Sequence, residues 1–336
     1  MISVVVPTYN RCERLHRVLE ALTRQTVPRE SFEVIVVSDG STDATDEYLR
    51  SGRAPLEIVS ITQPNSGPGP ARNAGVARAR GSLIVFVDDD VIAAPELLAE
   101  HLATHERYGG DGRLIVIGPM LTPPTDFQPS AWIKWEQDKL EQQYDAMRRG
   151  DWDATFRQFY TGNASLARDL ILEVGGFDDR FRRAEDVEMS YRLHEAGCRF
   201  AFNDRAVGWH YAERSFDSWI GNARAYGIND VVFARDHGRP DLLRIVRDEF
   251  PQRNVLIRGM VHVAAGRQRL GAGLQAGLNA GSRAAARLGV DVPASSLLSA
   301  AYNLAYYRGL ADELGGRAGF QAAIGPRGVP DAPAAR

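Results

Sequence analysis

The sequence predicts an α/β fold, a mostly parallel sheet flanked by helices and followed by a helical appendage. Three observations lead there. Short apolar runs rich in Val, Ile and Phe recur at residues 2–6, 32–38, 56–61 and 83–87, and runs of that length read as buried strands. Polar loops and helix-spaced apolar stripes separate them, and strand alternating with helix implies parallel pairing through right-handed crossovers. Beyond about residue 215 the polar loops cease, and apolar, Ala- and Gly-rich helical stretches take over.

Taken in order, the first strand stops at Pro7, which has no N–H to give a ladder. The loop Pro7-Thr8-Tyr9-Asn10 follows, and then Leu15, Val18, Leu19 and Leu22 stand at i, i+3, i+4 and i+7 of an amphipathic helix. The second strand runs into Asp39-Gly40-Ser41-Thr42-Asp43, where turn formers precede a helix through Tyr48 and Leu49 and Ser41, Thr42 or Asp43 can cap it. The third leads to Asn65-Ser66-Gly67-Pro68-Gly69-Pro70-Ala71-Arg72-Asn73-Ala74-Gly75, a glycine-containing loop that enters a short Ala-rich helix. The fourth delivers Asp88-Asp89-Asp90, and Pro95 opens another helix. Strand ends near residues 7, 39, 62 and 88 therefore open on one sheet edge, where open parallel sheets bind ligands.

Composition narrows the classes. With 336 residues, 44% hydrophobic and 25% charged, the chain is globular and long enough for a large core. A net charge of −3 and a pI near 6.2 give no support for a nucleic-acid partner. Cys12 and Cys198 lack metal-type spacing, which predicts a reduced, cytoplasmic chain without disulfides. The chain opens at once on a strand, leaving no room for a secretory signal, and no apolar run approaches the ~18 to 20 residues of a membrane span.

Three consecutive acids at a strand end can simply be solvated. In an extended chain side chains alternate, so Asp88 and Asp90 are expected to point one way and Asp89 the other, and one pair can share a cation. Carboxylates repel phosphate, so a phosphate ligand here requires an intervening divalent cation; Mg²⁺ or Mn²⁺ suits oxygen ligands and accepts few protein carboxylates. Neither G-x-G-x-x-G after the first strand nor G-x-x-x-x-G-K-[ST] is present, which excludes the dinucleotide and P-loop fingerprints.

The strings Val5-Val6-Pro7-Thr8-Tyr9-Asn10, Val36-Val37-Ser38-Asp39-Gly40-Ser41-Thr42-Asp43, Gly69-Pro70-Ala71-Arg72-Asn73-Ala74-Gly75 and Phe86-Val87-Asp88-Asp89-Asp90, in this order, resemble the family 2 glycosyltransferases of GT-A fold. The resemblance continues through Thr161-Gly162-Asn163-Ala164-Ser165-Leu166, Val174-Gly175-Gly176-Phe177-Asp178 and Ala184-Glu185-Asp186-Val187-Glu188, covering roughly residues 1–215. It implies an inverting, metal-dependent transferase that takes a sugar from a nucleoside-diphosphate donor, a UDP-sugar above all. The acceptor would be a hydroxyl on a glycan, a lipid-linked intermediate or a small molecule. By the same resemblance Asp39 would accept from the uracil N–H, with Pro7, Thr8, Tyr9 and Asn10 along the base and Arg72 near base or pyrophosphate. Asp88 and Asp89 would lie at the nucleotide-sugar, one or the other facing the ribose, Asp90 and His210 would hold the Mn²⁺ or Mg²⁺, and Gly162 and Asn163 would lie beneath the sugar. Gly176, Phe177 and Glu185 would form the acceptor side, and Asp186 would be the general base. Many relatives carry a fourth acid after the triplet where this chain has Val91, which loosens the register among the three.

Local chemistry supports the base assignment, because a sugar hydroxyl is a poor nucleophile and needs a positioned carboxylate. Two acids at a helix start also have a simpler reading, as partners of the helix dipole. Trp132, Trp135 and Trp152 could stack on a sugar, although large aromatics more often fill cores, and Pro123, Pro124 and Pro129 suggest an irregular loop over the cleft. The expected organisation is a GT-A domain at 1–215, with a nucleotide-sugar half at 1–118 and an acceptor half at 119–215. A helical region at 216–324 and a Pro- and Ala-rich disordered tail at 325–336 would follow. From Arg239 onward 13 Arg stand against 7 acids, so the appendage can lie on the inner face of an anionic membrane, or serve as a homodimer or lid element. The competing readings are a nucleotidyltransferase of related fold, with Arg11 and Arg14 on phosphate, and a catalytically silent nucleotide- or glycan-binding module.

Overall fold

The computed structural model describes residues 1–325 apart from 182, 237 and 290, and leaves the side chains of 291–294 undescribed. The remainder of the expected tail, 326–336, lies outside the described residues. In chain order the first compact unit carries β1 (Ile2–Thr8), α1 (Cys12–Leu22), β2 (Phe32–Asp39), α2 (Thr45–Arg50), β3 (Val59–Gln63), α3 (Pro68–Arg78) and β4 (Leu83–Val87). After these come β5 (Val91–Ala93), α4 (Leu97–Tyr108), β6 (Leu114–Ile117), β7 (Met120–Leu121), α5 (Ala131–Arg148, of which this unit holds the part from Glu136), β8 (Asn163–Ala167), α6 (Arg168–Glu173), α7 (Glu185–Glu195), β9 (Arg199–Phe202) and β10 (Gly208–His210). The unit comprises Met1–Pro129 and Glu136–Ala212.

Its main sheet has seven strands in the order β3-β2-β1-β4-β8-β6-β9, and only β8 runs against its neighbours. The parallel register places Val5 beside Ile35 on one side and Phe86 on the other. Alternation then divides the core between the two faces. Val4, Val6, Val34, Val36 and Val85 pack with Leu15, Val18, Leu19 and Leu22 of α1. Val5, Ile35, Val37, Ile84 and Phe86 pack with Ala71 and Val76 of α3 and Met189 and Leu193 of α7. Because β1, β2, β3 and β4 are parallel, their C-terminal ends share one edge, as the sequence predicts. The antiparallel β8 begins at that edge, with Asn163 opposite Val87. A small sheet in the order β5-β10-β7 brings His210 opposite Val91, immediately after the acidic triplet.

The second unit, Ser130–Trp135 with the described chain from Glu213, is helical. It holds α8 (Phe216–Asp236), α9 (Pro240–Glu249), α10 (Val255–Ala264), α11 (Gln268–Arg287), α12 (Asp291–Glu313) and α13 (Arg317–Ile324). Trp132 and Trp135 belong to an aromatic cluster with Phe216, Trp219 and Tyr302 in this unit. No described helix is long and apolar enough to cross a membrane.

Candidate active site

The loops at the sheet edge are tied together by side chains that the sequence singles out. Asp39, at the end of β2, accepts at Oδ1 from the Gln63 amide (2.7 Å) and the Ser66 N–H (2.9 Å), and at Oδ2 from the Gly67 N–H (2.8 Å). It thus fixes the loop that enters α3 at Gly67, whose φ of +105° suits glycine. Ionised carboxylates offer about four acceptor positions, so Oδ2 retains one for a ligand N–H. Asn10 adopts φ +55° and accepts at Oδ1 from the Thr42 N–H (2.6 Å) and the Asp43 N–H (3.3 Å), joining the loops after β1 and β2. Pro7 and Thr8 are buried at the end of β1, while Tyr9 is exposed beside them.

The alternation expected for the triplet is corrected by the structure. β4 ends at Val87 and the chain turns, with the Val91 N–H donating to the Asp88 carbonyl (3.0 Å), so the pleat that would alternate the acids is absent. Asp89 and Asp90 face together, both accepting from one Arg11 nitrogen at 3.0 and 2.5 Å. Asp88 is turned instead toward Arg72, which donates to it at 2.6 Å. Thr8 also donates to Asp89 (2.7 Å). Burial and the adjacent Asp90 push the Asp89 carboxyl up to about 7 against the pull of Arg11. Val91, which follows the triplet, is fully buried and opens β5, a core position.

His210 Nε2 stands 3.6 Å from Asp90 Oδ1, and its Nδ1 meets Gln137 Nε2 at 3.0 Å. In this orientation Gln137 Oε1 is buried without a partner. Turning the amide by 180° would let Oε1 accept from Nδ1–H and leave Nε2 as a lone pair facing Asp90, the usual arrangement of a metal-ligating histidine. Asp90 and His210 are thus two donors of the kind that could hold Mn²⁺ or Mg²⁺. No larger group of His, Cys, Asp or Glu able to hold a metal occurs among the described residues.

On the opposite side Arg72 joins two regions far apart in sequence. Its buried guanidinium donates through Nη2 to Asp88 and through Nη1 to Glu185 Oε1 (2.7 Å), and stands 5.7 Å from the centre of the Phe177 ring. Glu185 and Asp186 occupy the first turn of α7, where the helix dipole favours acids. Ala184, just before them, has φ +57°, a strained value for a residue with a Cβ. Asp186 is half-buried and accepts from the Val187 N–H (2.8 Å). Burial, with the Glu185 charge, raises its carboxyl to about 7, while Arg72 draws it down.

The remaining predicted residues are each held by contacts within the fold. Asn163 is buried with its amide committed, donating to the Pro119 and Ala206 carbonyls (3.0 and 2.7 Å) and meeting His101 Nε2 through Oδ1 (2.9 Å). Its side chain therefore braces the fold and is not free to face a sugar. Gly162 lies against Asp88, and a Cβ there would come 3.0 Å from Asp88 Oδ2. Phe177 is clamped through its backbone, with its N–H donating to Asn73 Oδ1 and its carbonyl accepting from Asn73 Nδ2, each at 2.8 Å. Gly176 (φ +71°) passes so close that a Cβ would sit 2.6 Å from Asn73 Oδ1. Sequence reasoning assigned no role to Asn73 or Gln137 and considered Arg11 only for phosphate. Asn73 stands in a quoted motif, whereas nothing in the string around Gln137 signals its partner.

The family profile described as Glycosyl transferase family 2 matches residues 3–175. The chain belongs to this family. Validoxylamine A glucosyltransferase of Streptomyces hygroscopicus subsp. jinggangensis is 33% identical over 271 residues, covering 72% of this chain and 62% of that protein. The chain thus spans about three fifths of the length of the curated relatives it matches. Among solved structures, S. aureus TarS in complex with UDP-GlcNAc superposes with a TM-score of 0.54 at 19% identity, covering 89% of this chain and 90% of the other. The mannosyltransferase PcManGT of Pyrobaculum calidifontis, in complex with GDP-Man and Mn²⁺, gives 0.57 at 22% identity, covering 89% and 85%. These likenesses establish the GT-A fold.

Proposed function

We propose that the chain transfers a sugar from a nucleoside-diphosphate sugar, most favourably a UDP-sugar, to a hydroxyl of a glycan, lipid-linked or small-molecule acceptor, with inversion. Asp186 takes the acceptor proton as the hydroxyl oxygen bonds to the anomeric carbon. The bond from that carbon to the diphosphate oxygen breaks, and its electron pair leaves with the diphosphate. A carboxyl near 7 is well matched to proton abstraction at neutral pH. Residues 1–118 would hold the donor and 119–215 the acceptor, with Asp39 receiving a base N–H at its remaining acceptor position. Asp90 and His210 would hold Mn²⁺ or Mg²⁺, which when bound offsets charge on the departing diphosphate.

The observation that carries this reading is the Arg72 bridge. One guanidinium bonds an acid of the strand-end triplet and an acid of the α7 first turn, which supports reading the two acidic clusters as parts of one site. The phosphate-binding role that a nucleotidyltransferase would ask of the first loop has weaker support. Arg11 is taken up by Asp89 and Asp90, and the Arg14 guanidinium stands 5.1 Å from the Tyr211 ring centre.

The test is release of the nucleoside diphosphate, UDP or GDP, with Mn²⁺ and a panel of UDP- and GDP-sugars, with and without candidate acceptors. Asp186→Asn is expected to lower acceptor-dependent turnover by roughly 10² to 10⁴-fold, the usual contribution of a general base, with donor binding retained. Unchanged turnover in that variant would remove Asp186 from the mechanism.

A further inference from the structure

Between Glu249 and Asp291 the chain has no acidic residue and six arginines, at 253, 258, 267, 269, 283 and 287. The same stretch holds most of the exposed aliphatic surface. Of the six Val and Leu side chains that are prominently exposed among the described residues, five are Val255, Leu256, Val263, Leu270 and Leu288, at 41 to 77% exposure. On α10, Ile257, Val261 and Ala264 are buried, and Val255, Leu256, Gly259 and Val263 share the opposite face. Arg267, Arg269 and Leu270 follow at the start of α11, all exposed, and neither arginine has an ion-pair partner among the described residues.

We propose that this face, the outer side of α10 with the first turn of α11, docks on an anionic phospholipid bilayer. Exposed Val and Leu flanked by unpaired arginines is the composition of a helix that lies in the headgroup boundary, its apolar face among acyl chains and its cations at lipid phosphates. A second copy of this chain is a poorer occupant. A two-fold contact meets itself, so arginines would face arginines with no acid in the stretch to offset them. A soluble polyanion would satisfy the arginines but leave Val255 and Leu256 in water. The docking is independent of the transfer reaction, since none of these residues belongs to the candidate site.

The experiment is co-sedimentation of the full chain with vesicles of phosphatidylcholine alone or mixed with phosphatidylglycerol. Binding is expected to the mixed vesicles and to weaken as salt rises. The Arg267→Gln/Arg269→Gln variant should lose roughly 25-fold in partitioning, about fivefold per arginine near a charged surface. Val255→Asp/Leu256→Asp should lose at least as much, with UDP release on a soluble acceptor unchanged because the residues are exposed and remote in role. Equal binding to both vesicle types, or full binding by the Asp variant, would overturn the proposal. So would a concentration-dependent dimer, seen by light scattering, that either variant dissolves.

Discussion

At the scale of single residues, the raised Asp186 carboxyl links activity to stability with opposite signs. An unfolded aspartate titrates near ~3.9, so the folded chain holds this proton over a range where the unfolded chain has released it. Stability from this group is therefore lost as pH rises from about 4 through about 7, whereas the proposed base would become competent over the upper part of that range. Asp186→Asn should melt higher than the parent protein at pH 8 and show no such gain at pH 4, by calorimetry. Arg72 acts on the same group. Lysine offers a point charge rather than a planar fork and cannot hold Asp88 and Glu185 in the present geometry. Arg72→Lys should cut kcat/KM by roughly 10² by misplacing both acids, and move the acidic limb of the pH–rate profile upward because the charge that draws Asp186 down is loosened. A limb that stays put would uncouple Arg72 from the base. Asp39, Arg72, Asp90 and Asp186 were legible as site candidates because resemblance fixes positions in a motif. It does not fix orientation, which is why Asn163 turned inward and why Asp89, rather than Asp88, joined Asp90.

Elements were legible where one physical signal dominated. The stretches Leu83–Val87 and Val34–Val37 read as strands because they are continuously apolar, and the stripe from Leu15 to Leu22 as a helix because its spacing is regular. β8 was not legible as a strand, since Asn-Ala-Ser-Leu-Ala alternates over only four residues and has one bulky apolar side chain, and β5, β7 and β10 span two or three residues, too short for any period. The close packing of α8 on α12 was equally hidden in composition. Gly227 faces the Tyr306 carbonyl and Gly309 faces the Arg224 carbonyl, and a Cβ would come within 2.0 and 2.1 Å of these oxygens. Arg224 with Asp312, Arg235 with Glu313 and the Tyr306 hydroxyl with Asp230 join the same two helices. Gly309→Ala should therefore destabilise by about 1 to 3 kcal/mol through overpacking, despite alanine's better helix propensity. A denaturant midpoint equal to or above that of the parent would show that the helices can part without cost.

Across the whole molecule, the candidate site and the proposed docking face fall to different stretches of sequence. Every candidate donor, metal and base residue lies in the α/β unit, and the acid-free basic stretch lies in the helical one. Motif order made the first legible, because a parallel sheet gathers strand ends that are distant in sequence onto one edge. The helical unit offered only composition, which limits what can be docked but names no site. The two assignments separate in one measurement. Bound donor stabilises the chain by mass action, about 2.7 kcal/mol at a hundredfold excess over Kd, and slows hydrogen exchange where it restrains the backbone. Adding UDP-sugar and Mn²⁺ should protect the amides of residues 8–11, 39–43, 65–69 and 88–91 and leave 255–270 unchanged, whereas mixed anionic vesicles should do the reverse. Protection of the 255–270 stretch by donor alone would mean that the helical unit takes part in donor binding, and the division of labour argued here would fail.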